Sequence, residues 1–132
     1  MSIQTEVDVR GGYLYLSCAG TFSSDSLLQV FKKGFTIAEE RELMAVLVDA
    51  RGLGGPTPST TERFALGVLL AETQRRQSAY IHMIVVGDEP FVSHDKFGET
   101  VAVNRGAVGK VFTDIDEAVT WIEQLIEERK GR

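Results

Sequence analysis

Residues 46–64 have the sequence VLVDARGLGGPTPSTTERF, and this stretch decides the fold. The run from Val46 to Ala50 is nearly all apolar, which is typical of a strand covered on both faces. A loop rich in glycine and proline follows, and the hydroxyl residues 59–61 then begin a helix. In open α/β sheets, ligands and regulatory groups collect where strands end and helices begin. We therefore predict that this junction carries the functional site.

The rest of the chain continues the alternation of strands and helices. Strands over 3–9 and 13–18, joined by Arg10-Gly11-Gly12, predict a hairpin. Further predicted elements are a helix from Ser23 or Ser24, a strand over 44–50, a helix over 59–77, a strand over 79–86, a helix over 93–105 ended by Gly106, a strand over 110–112, and a final helix capped by Thr113. The order ββαβαβαβα predicts a single α/β domain with a mixed, mostly parallel sheet and an antiparallel edge hairpin.

Composition limits the class of protein. The chain has 132 residues, of which 43% are hydrophobic and 25% charged, and this size fits one domain. A net charge of −5 argues against a nucleic-acid partner. No apolar run approaches the ~18 residues of a membrane span, and the first residues do not resemble a signal peptide. The single cysteine, Cys18, is predicted to be a buried hydrophobe. We expect a cytoplasmic protein.

The start of the second helix has two interpretations. Ser59 with Glu62 three residues later forms the pattern of a capping box, and Pro58 at the first helical position is an alternative start. Either arrangement gives the hydroxyl a purely structural role. The functional alternative is an anion site or a phosphorylation switch at Ser59, Thr60 or Thr61, because free amides and the helix dipole favour negative charge there.

Two charged residues flank this loop. Asp49 ends the predicted strand, where it can orient the loop or accept hydrogen bonds from loop amides. Arg51 can pair with a phosphate or with Asp49. We include both residues in the candidate anion site.

Catalytic and metal-binding patterns are poor. His82 lies within an apolar strand and is predicted to be a packed residue. His94 lies near Asp95 and Glu99, but the spacing matches no known set of metal ligands, and a solvated helix face explains it better. No serine or cysteine carries the signature of an activated nucleophile. We expect no catalysis, no metal and no cofactor.

The second helix is apolar almost all round. Phe64, Val68 and Ala71 lie on one side, and Leu66 and Leu70 lie nearly opposite. A helix on a sheet needs one apolar stripe, so the second stripe must be covered by another helix, another protomer or an apolar ligand. Gly67 would permit close approach. We favour a neighbouring helix or a homodimer contact over a lipid.

The chain resembles a known group of domains. The element order and the junction over 46–64 are similar to the STAS domain, the fold of anti-sigma-factor antagonists. Further motifs are similar to a small bacterial STAS-like subgroup, related in superfold to CRAL-TRIO lipid-binding domains: residues 49–52 (DARG), 59–67 (STTERFALG), 97–106 (FGETVAVNRG) and 111–114 (VFTD).

The resemblance has consequences for function. In regulatory STAS domains a partner kinase phosphorylates a serine at the start of the second helix, and Ser59 to Thr61 match that position. Pro56 and Pro58 stand here in place of the usual Asp-Ser-Ser-Gly type of sequence. The resemblance also suggests a shared role for Glu99, Asn104 and Arg105, although Arg105 can equally bond the last carbonyls of its helix.

We therefore predict a non-catalytic regulatory or protein-interaction module, controlled by phosphate at the second helix. The alternative is a carrier or sensor of a small apolar or amphipathic, lipid-like ligand. A homodimer and a regulatory protein are the expected partners. The surface predicted to contact the partner or ligand consists of Arg63, Phe64, Leu66, Leu70, Glu99, Asn104 and Arg105.

Overall fold

The computed structural model describes residues 3–77, 80–93 and 95–131. These ranges contain the following elements: β1 Ile3–Arg10, β2 Tyr13–Thr21, α1 Ser24–Glu40, β3 Ala45–Gly54, α2 Thr60–Gln77, β4 His82–Val86, α3 Phe97–Asn104, β5 Gly109–Phe112 and α4 Ile115–Lys130. The predicted order ββαβαβαβα is confirmed.

The five strands form one sheet in the order β1-β2-β3-β4-β5. β1 pairs antiparallel with β2, and all the other neighbours are parallel. The predicted mixed sheet with an antiparallel edge hairpin is therefore confirmed. Helices α1 and α2 pack on one face, and α4 packs on the other.

β3 lies in the middle of the sheet and is buried on both faces. Val46 and Val48 pack into the cluster beneath α1 and α2, whereas Ala45 and Leu47 pack beneath α4. All four side chains are completely buried. The apolar run thus predicted both the strand and its burial correctly. None of the helices in the described ranges is long and apolar enough to cross a membrane.

Several predicted boundaries were wrong. β3 continues to Gly54, whereas the sequence pattern predicted a loop after residue 50. The extension pairs with β2 after a register shift between Ser17 and Ala19. Only glycine fits at position 52, since a Cβ there would collide with the carbonyl oxygen of Cys18. The glycine that indicated a loop therefore marks a close approach between strands.

The helical regions also differ from the predictions. α3 covers only Phe97–Asn104, because Lys96 has a left-handed backbone conformation, with φ of 52°, and so cannot belong to the helix. β4 begins at His82, and Ala79 lies outside the described residues. Asp114, and not Thr113, caps α4, since its carboxylate accepts hydrogen bonds from the amides of Asp116 and Glu117.

A buried glutamine on α2 forms hydrogen bonds with the backbone just before β4 and just before β5. Gln74 is 2% exposed. Its Nε2 donates to the carbonyl oxygens of Ile81 and Val108, each at 2.8 Å, and its Oε1 accepts from the Val108 amide at 2.7 Å. Because these groups precede β4 and β5, one side chain fixes where both strands begin.

We predict that Gln74→Leu lowers the free energy of unfolding by about 3 kcal/mol, because it leaves the partly buried Val108 amide and the buried Ile81 carbonyl without this partner. Urea denaturation followed by circular dichroism measures the change. Arg76→Ala, at an exposed position on the same helix, is the matched control and should change stability by less than about 0.5 kcal/mol. Equal stabilities of the two variants would contradict this role for Gln74.

Candidate functional site

The predicted capping box forms at the start of α2. The Ser59 hydroxyl accepts from the Glu62 amide at 3.1 Å, and Glu62 Oε1 accepts from the Ser59 amide at 2.9 Å. The hydrogen bond from the Ser59 amide is the main cause of a lowered pKa at Glu62. Ser24 Oγ donates to Glu62 Oε2 at 3.1 Å, which joins the starts of α1 and α2. Pro58 is buried and precedes the helix, so the alternative start is not used.

The other two hydroxyls of the segment remain exposed. Thr60 and Thr61 open α2 and lie at the surface. Within the described part of the chain, neither side chain takes part in a hydrogen bond, whereas Ser59 is used by the cap. The structure therefore separates the predicted phosphoacceptors into one structural hydroxyl and two accessible ones.

Asp49 and Arg51 interact with each other. Asp49 is only 8% exposed and shares its face of the sheet with Leu47 and Tyr15, beneath α4. Its carboxylate accepts from the Arg51 guanidinium at 2.8 and 2.9 Å, from the Arg51 amide at 3.2 Å and from the Tyr15 hydroxyl at 2.6 Å. The Arg51 amide belongs to β3 itself, so among the described residues Asp49 pairs within its own strand and with Tyr15 of β2, and not with loop amides as predicted.

These contacts determine the charge states of Asp49 and Tyr15. Burial opposes ionisation of Asp49, but hydrogen bonds from Arg51 and Tyr15 outweigh it and lower the pKa of the carboxyl. Burial, together with the hydrogen bond to Asp49, raises the pKa of Tyr15. No hydrogen bond or ion pair among the described residues joins Asp49 or Arg51 to residues 59–61. The predicted anion site is therefore divided between two separate groups.

Arg63 fixes the start of α2 to the loop after β4. Its guanidinium donates to the carbonyl oxygen of Pro90 at 2.6 Å and to that of Phe91 at 3.3 Å. The Phe91 ring in turn contacts Phe22 edge-on, with centroids 5.5 Å apart. The cation at position 63 is thus used to position a loop.

The wide apolar arc of α2 has a clear cause, since α2 lies between α1 and α3. Gly67 contacts α3 so closely that a Cβ would come within 2.9 Å of Val101 and the Gly98 carbonyl. Leu66 and Ala71 are buried, and Leu70 is half-buried. Ala71 was predicted to share a stripe with Phe64, but it faces inward, whereas Phe64 stays 44% exposed. The neighbouring helix α3 therefore covers part of the apolar surface of α2.

The end of α3 docks on the outer side of α2. The Arg105 guanidinium lies 5.0 Å from the centre of the Phe64 ring, and the Arg105 carbonyl accepts from Arg75 at 2.8 Å. Asn104 is exposed. Phe64, Asn104 and Arg105 of the predicted contact surface thus lie together on the outside of the molecule or at its edge, whereas Leu66 and Leu70 face inward.

Beneath α2 and α3 lies an apolar cavity of about 110 Å³. Its wall includes Leu66 and Leu70 from α2, Val85 from β4, and Ala102 from α3. The wide apolar arc of α2 predicted a ligand held between the second and third helices, against Phe64, Leu66 and Leu70. Leu66 and Leu70 line this cavity, whereas Phe64 does not.

Glu99 connects α3 to the edge of the sheet beside this cavity. Its Oε1 accepts from the Val111 amide of β5 at 2.8 Å. Because β5 is an edge strand, this bond satisfies an amide that no further strand pairs with. His94, which was predicted to share a solvated helix face with Glu99, lies outside the described residues. The observed contact gives Glu99 a structural role.

Two remaining candidates are packed residues. Cys18 is buried as predicted, and burial raises the pKa of its thiol to about 11. His82 is half-buried and contacts Trp121 edge-on, with ring centres 6.0 Å apart. Burial lowers the pKa of His82, so its ring favours the neutral form.

Comparisons with known proteins bear on the fold. No protein-family model matches the chain, and no curated protein matches it in sequence. An anti-sigma factor antagonist from Mycobacterium paratuberculosis is similar in structure, with a TM-score of 0.59 and 15% identity over 92% of this chain and 95% of that one. An uncharacterized protein with a SpoIIAA-like fold from Shewanella loihica has a TM-score of 0.49 and 15% identity over 91% of this chain and 93% of that one.

The likeness to the anti-sigma factor antagonist, with the observed topology, shows that this chain has the same fold as that protein. The predicted resemblance is confirmed at the level of the fold. At 15% identity the likeness concerns the fold alone, and function has to be argued from the site.

We predict that protonation of Asp49 lowers the stability of the fold at acidic pH. Because its folded-state pKa is lowered, the ionised carboxylate stabilises the fold above the ordinary aspartate pKa of about 3.9, and this contribution is lost as pH falls through the folded-state pKa. Urea unfolding between about pH 5 and pH 2 should therefore show a steeper loss of stability for the natural protein than for Asp49→Asn. Parallel pH profiles would contradict the assignment.

The capping box gives a second prediction. Ser59→Ala should lower the free energy of unfolding by about 1 kcal/mol, because the Glu62 amide loses its acceptor. Thr60→Ala is the matched control and should change stability by less than about 0.5 kcal/mol. Denaturant titration of both variants measures the difference. A control as destabilised as Ser59→Ala would rule out a specific cap.

Proposed function

We propose that this protein is a cytoplasmic, non-catalytic regulatory module that binds a partner protein through the start of α2. The observation that carries the proposal is the exposure of Thr60 and Thr61, two hydroxyls that the cap does not use. The fold, which it shares with an anti-sigma factor antagonist, supports a protein partner.

Phosphate control fits the same location. A phosphate on Thr60 or Thr61 would lie beside the free amides at the N-terminus of α2, where the helix dipole favours negative charge. The segment before it, over 55–57, is exposed, so an enzyme can reach these hydroxyls. Ser59 is the weaker acceptor in this proposal, because modifying its oxygen would disrupt the cap.

The partner surface extends from these hydroxyls along the outer side of α2. Phe64 lies one turn further along α2 and is exposed, with the Arg105 guanidinium over its ring. A half-exposed aromatic ring beside a cation suits a protein interface, where aromatic residues and arginine contribute most. Leu69, on the same helix, is 37% exposed.

The proposed homodimer would use the same outer side of α2, and native mass spectrometry tests it.

A second candidate function is favoured by the cavity under α2 and α3. It is lined by Leu66 and Leu70, two of the residues predicted for ligand contact, while Phe64 points elsewhere. A small apolar molecule can bind in such a space without rearranging the fold. Under this proposal the protein carries or senses an apolar ligand, and binding of the ligand affects the start of α2.

The docking surface can be tested by capture of the partner. A tagged chain carrying both Thr60→Glu and Thr61→Glu should keep its stability, because acidic residues suit the first turn of a helix. It should nevertheless recover at least tenfold less of the protein that copurifies with the natural chain, as quantified by mass spectrometry. Intact mass of the natural chain shows at the same time whether it carries phosphate.

Glu127→Gln serves as the control for this experiment. Glu127 is an exposed residue of α4, on the opposite side of the sheet from α2. This variant should recover the partner in full. If the double variant also recovers it in full, the start of α2 is not the docking surface.

A further inference from the structure

We infer that the cavity beneath α2 and α3 binds one small, uncharged, apolar molecule of about the size of benzene. This inference builds on the second candidate function and names its class of ligand. Three observations carry it, namely the size of the cavity, the chemistry of its wall and the pairing of the polar groups around it.

The volume sets the size of the ligand. The cavity measures about 110 Å³. An engineered apolar cavity of about 150 Å³ binds benzene or xenon, whereas pockets for drug-sized ligands measure about 300–1,000 Å³. The space found here therefore fits a molecule of a few heavy atoms.

The wall sets the polarity of the ligand. The sheet contributes Met83, Val85 and Val111, and the helices contribute Leu66, Leu70 and Ala102. Water in the cavity gains few hydrogen-bond partners from these aliphatic side chains. Four charged residues, Arg63, Lys96, Glu99 and Lys110, also line the cavity. Arg63 and Glu99 are engaged in hydrogen bonds, and the ammonium groups of Lys96 and Lys110 lie 5.9 and 5.5 Å from the centre of the Phe112 ring. An uncharged hydrocarbon-like group fits this environment.

Two of the charged side chains around the cavity are already paired. Arg63 donates to the Pro90 and Phe91 carbonyls, and Glu99 accepts from the Val111 amide. In the described part of the chain, the buried side-chain atoms that lack a partner are Gln77 Oε1 and His82 Nδ1. Neither residue belongs to the wall of the cavity. The wall therefore offers no unsatisfied buried atom that would select a polar ligand group.

The cavity is connected to the proposed docking surface. Pro58 and Arg63, on either side of the capping box, both contribute to its wall. Arg63 also holds the loop that carries Phe91, another wall residue. A ligand in the cavity thus contacts the residues that position Thr60 and Thr61.

Titration with benzene, followed by methyl NMR of the whole chain, tests the inference. We expect saturable shifts at the methyl groups of Leu66, Leu70, Val85 and Val111, and a higher melting temperature with benzene present. Ala102→Leu places a larger side chain in the cavity and should weaken the shifts at least tenfold. Ala65→Leu, at an exposed position on α2, is the matched control and should bind as the natural chain does.

The outcomes separate the proposals. Absence of saturable shifts in the natural chain, or undiminished binding by a folded Ala102→Leu, overturns the inference. Should Ala102→Leu not fold, Leu70→Phe fills the same space and is judged by the same criterion. Displacement of benzene by dodecanoate at these methyls would overturn the size class. Partner capture by the natural chain is measured separately, so absence of benzene binding with full partner capture rejects the cavity site and leaves the docking surface intact.

Discussion

The burial of β3 on both faces is the constraint on which the rest of the structure depends. Each of its completely buried valine and leucine side chains contributes about 1.5–3 kcal/mol, provided that apolar partners cover both sides. Parallel strands on either side of β3 require helical connections, and α1 and α2 supply one layer of cover. α4 returns over the opposite face, where Ile122 packs against Leu47 and its neighbours.

Burial on both faces leaves polar groups that must be paired inside the protein. Asp49 remains charged under α4 because Arg51 and Tyr15 donate to it. On the other face, Gln74 forms hydrogen bonds with the backbone before β4 and β5. Unpaired groups in such places would each cost about 1–3 kcal/mol. The paired groups hold a rigid frame, and the proposed functional residues stay accessible at its edge.

The packing between α2 and α3 is uneven, and the second proposed function follows from this. Contact is close at Gly67, where backbone and side chains of α3 lie against α2. Beside this contact, short side chains such as Ala102 leave the cavity unfilled. The cap at Ser59 and the anchor at Arg63 fix the start of α2 above that space. The proposed docking surface and the cavity thus both include residues of α2.

Local features were determined by the sequence itself: the order of the elements, the central strand and the capping box of Ser59 with Glu62. Each depends on neighbours within one element, so a pattern of a few residues suffices. Only the tertiary structure decided that Gly52 belongs to a strand, that Tyr15 reaches Asp49 across 34 residues, and that a cavity lies under α2. These depend on how distant segments pack, because close approach, hydrogen bonding and empty space are properties of the assembled layers.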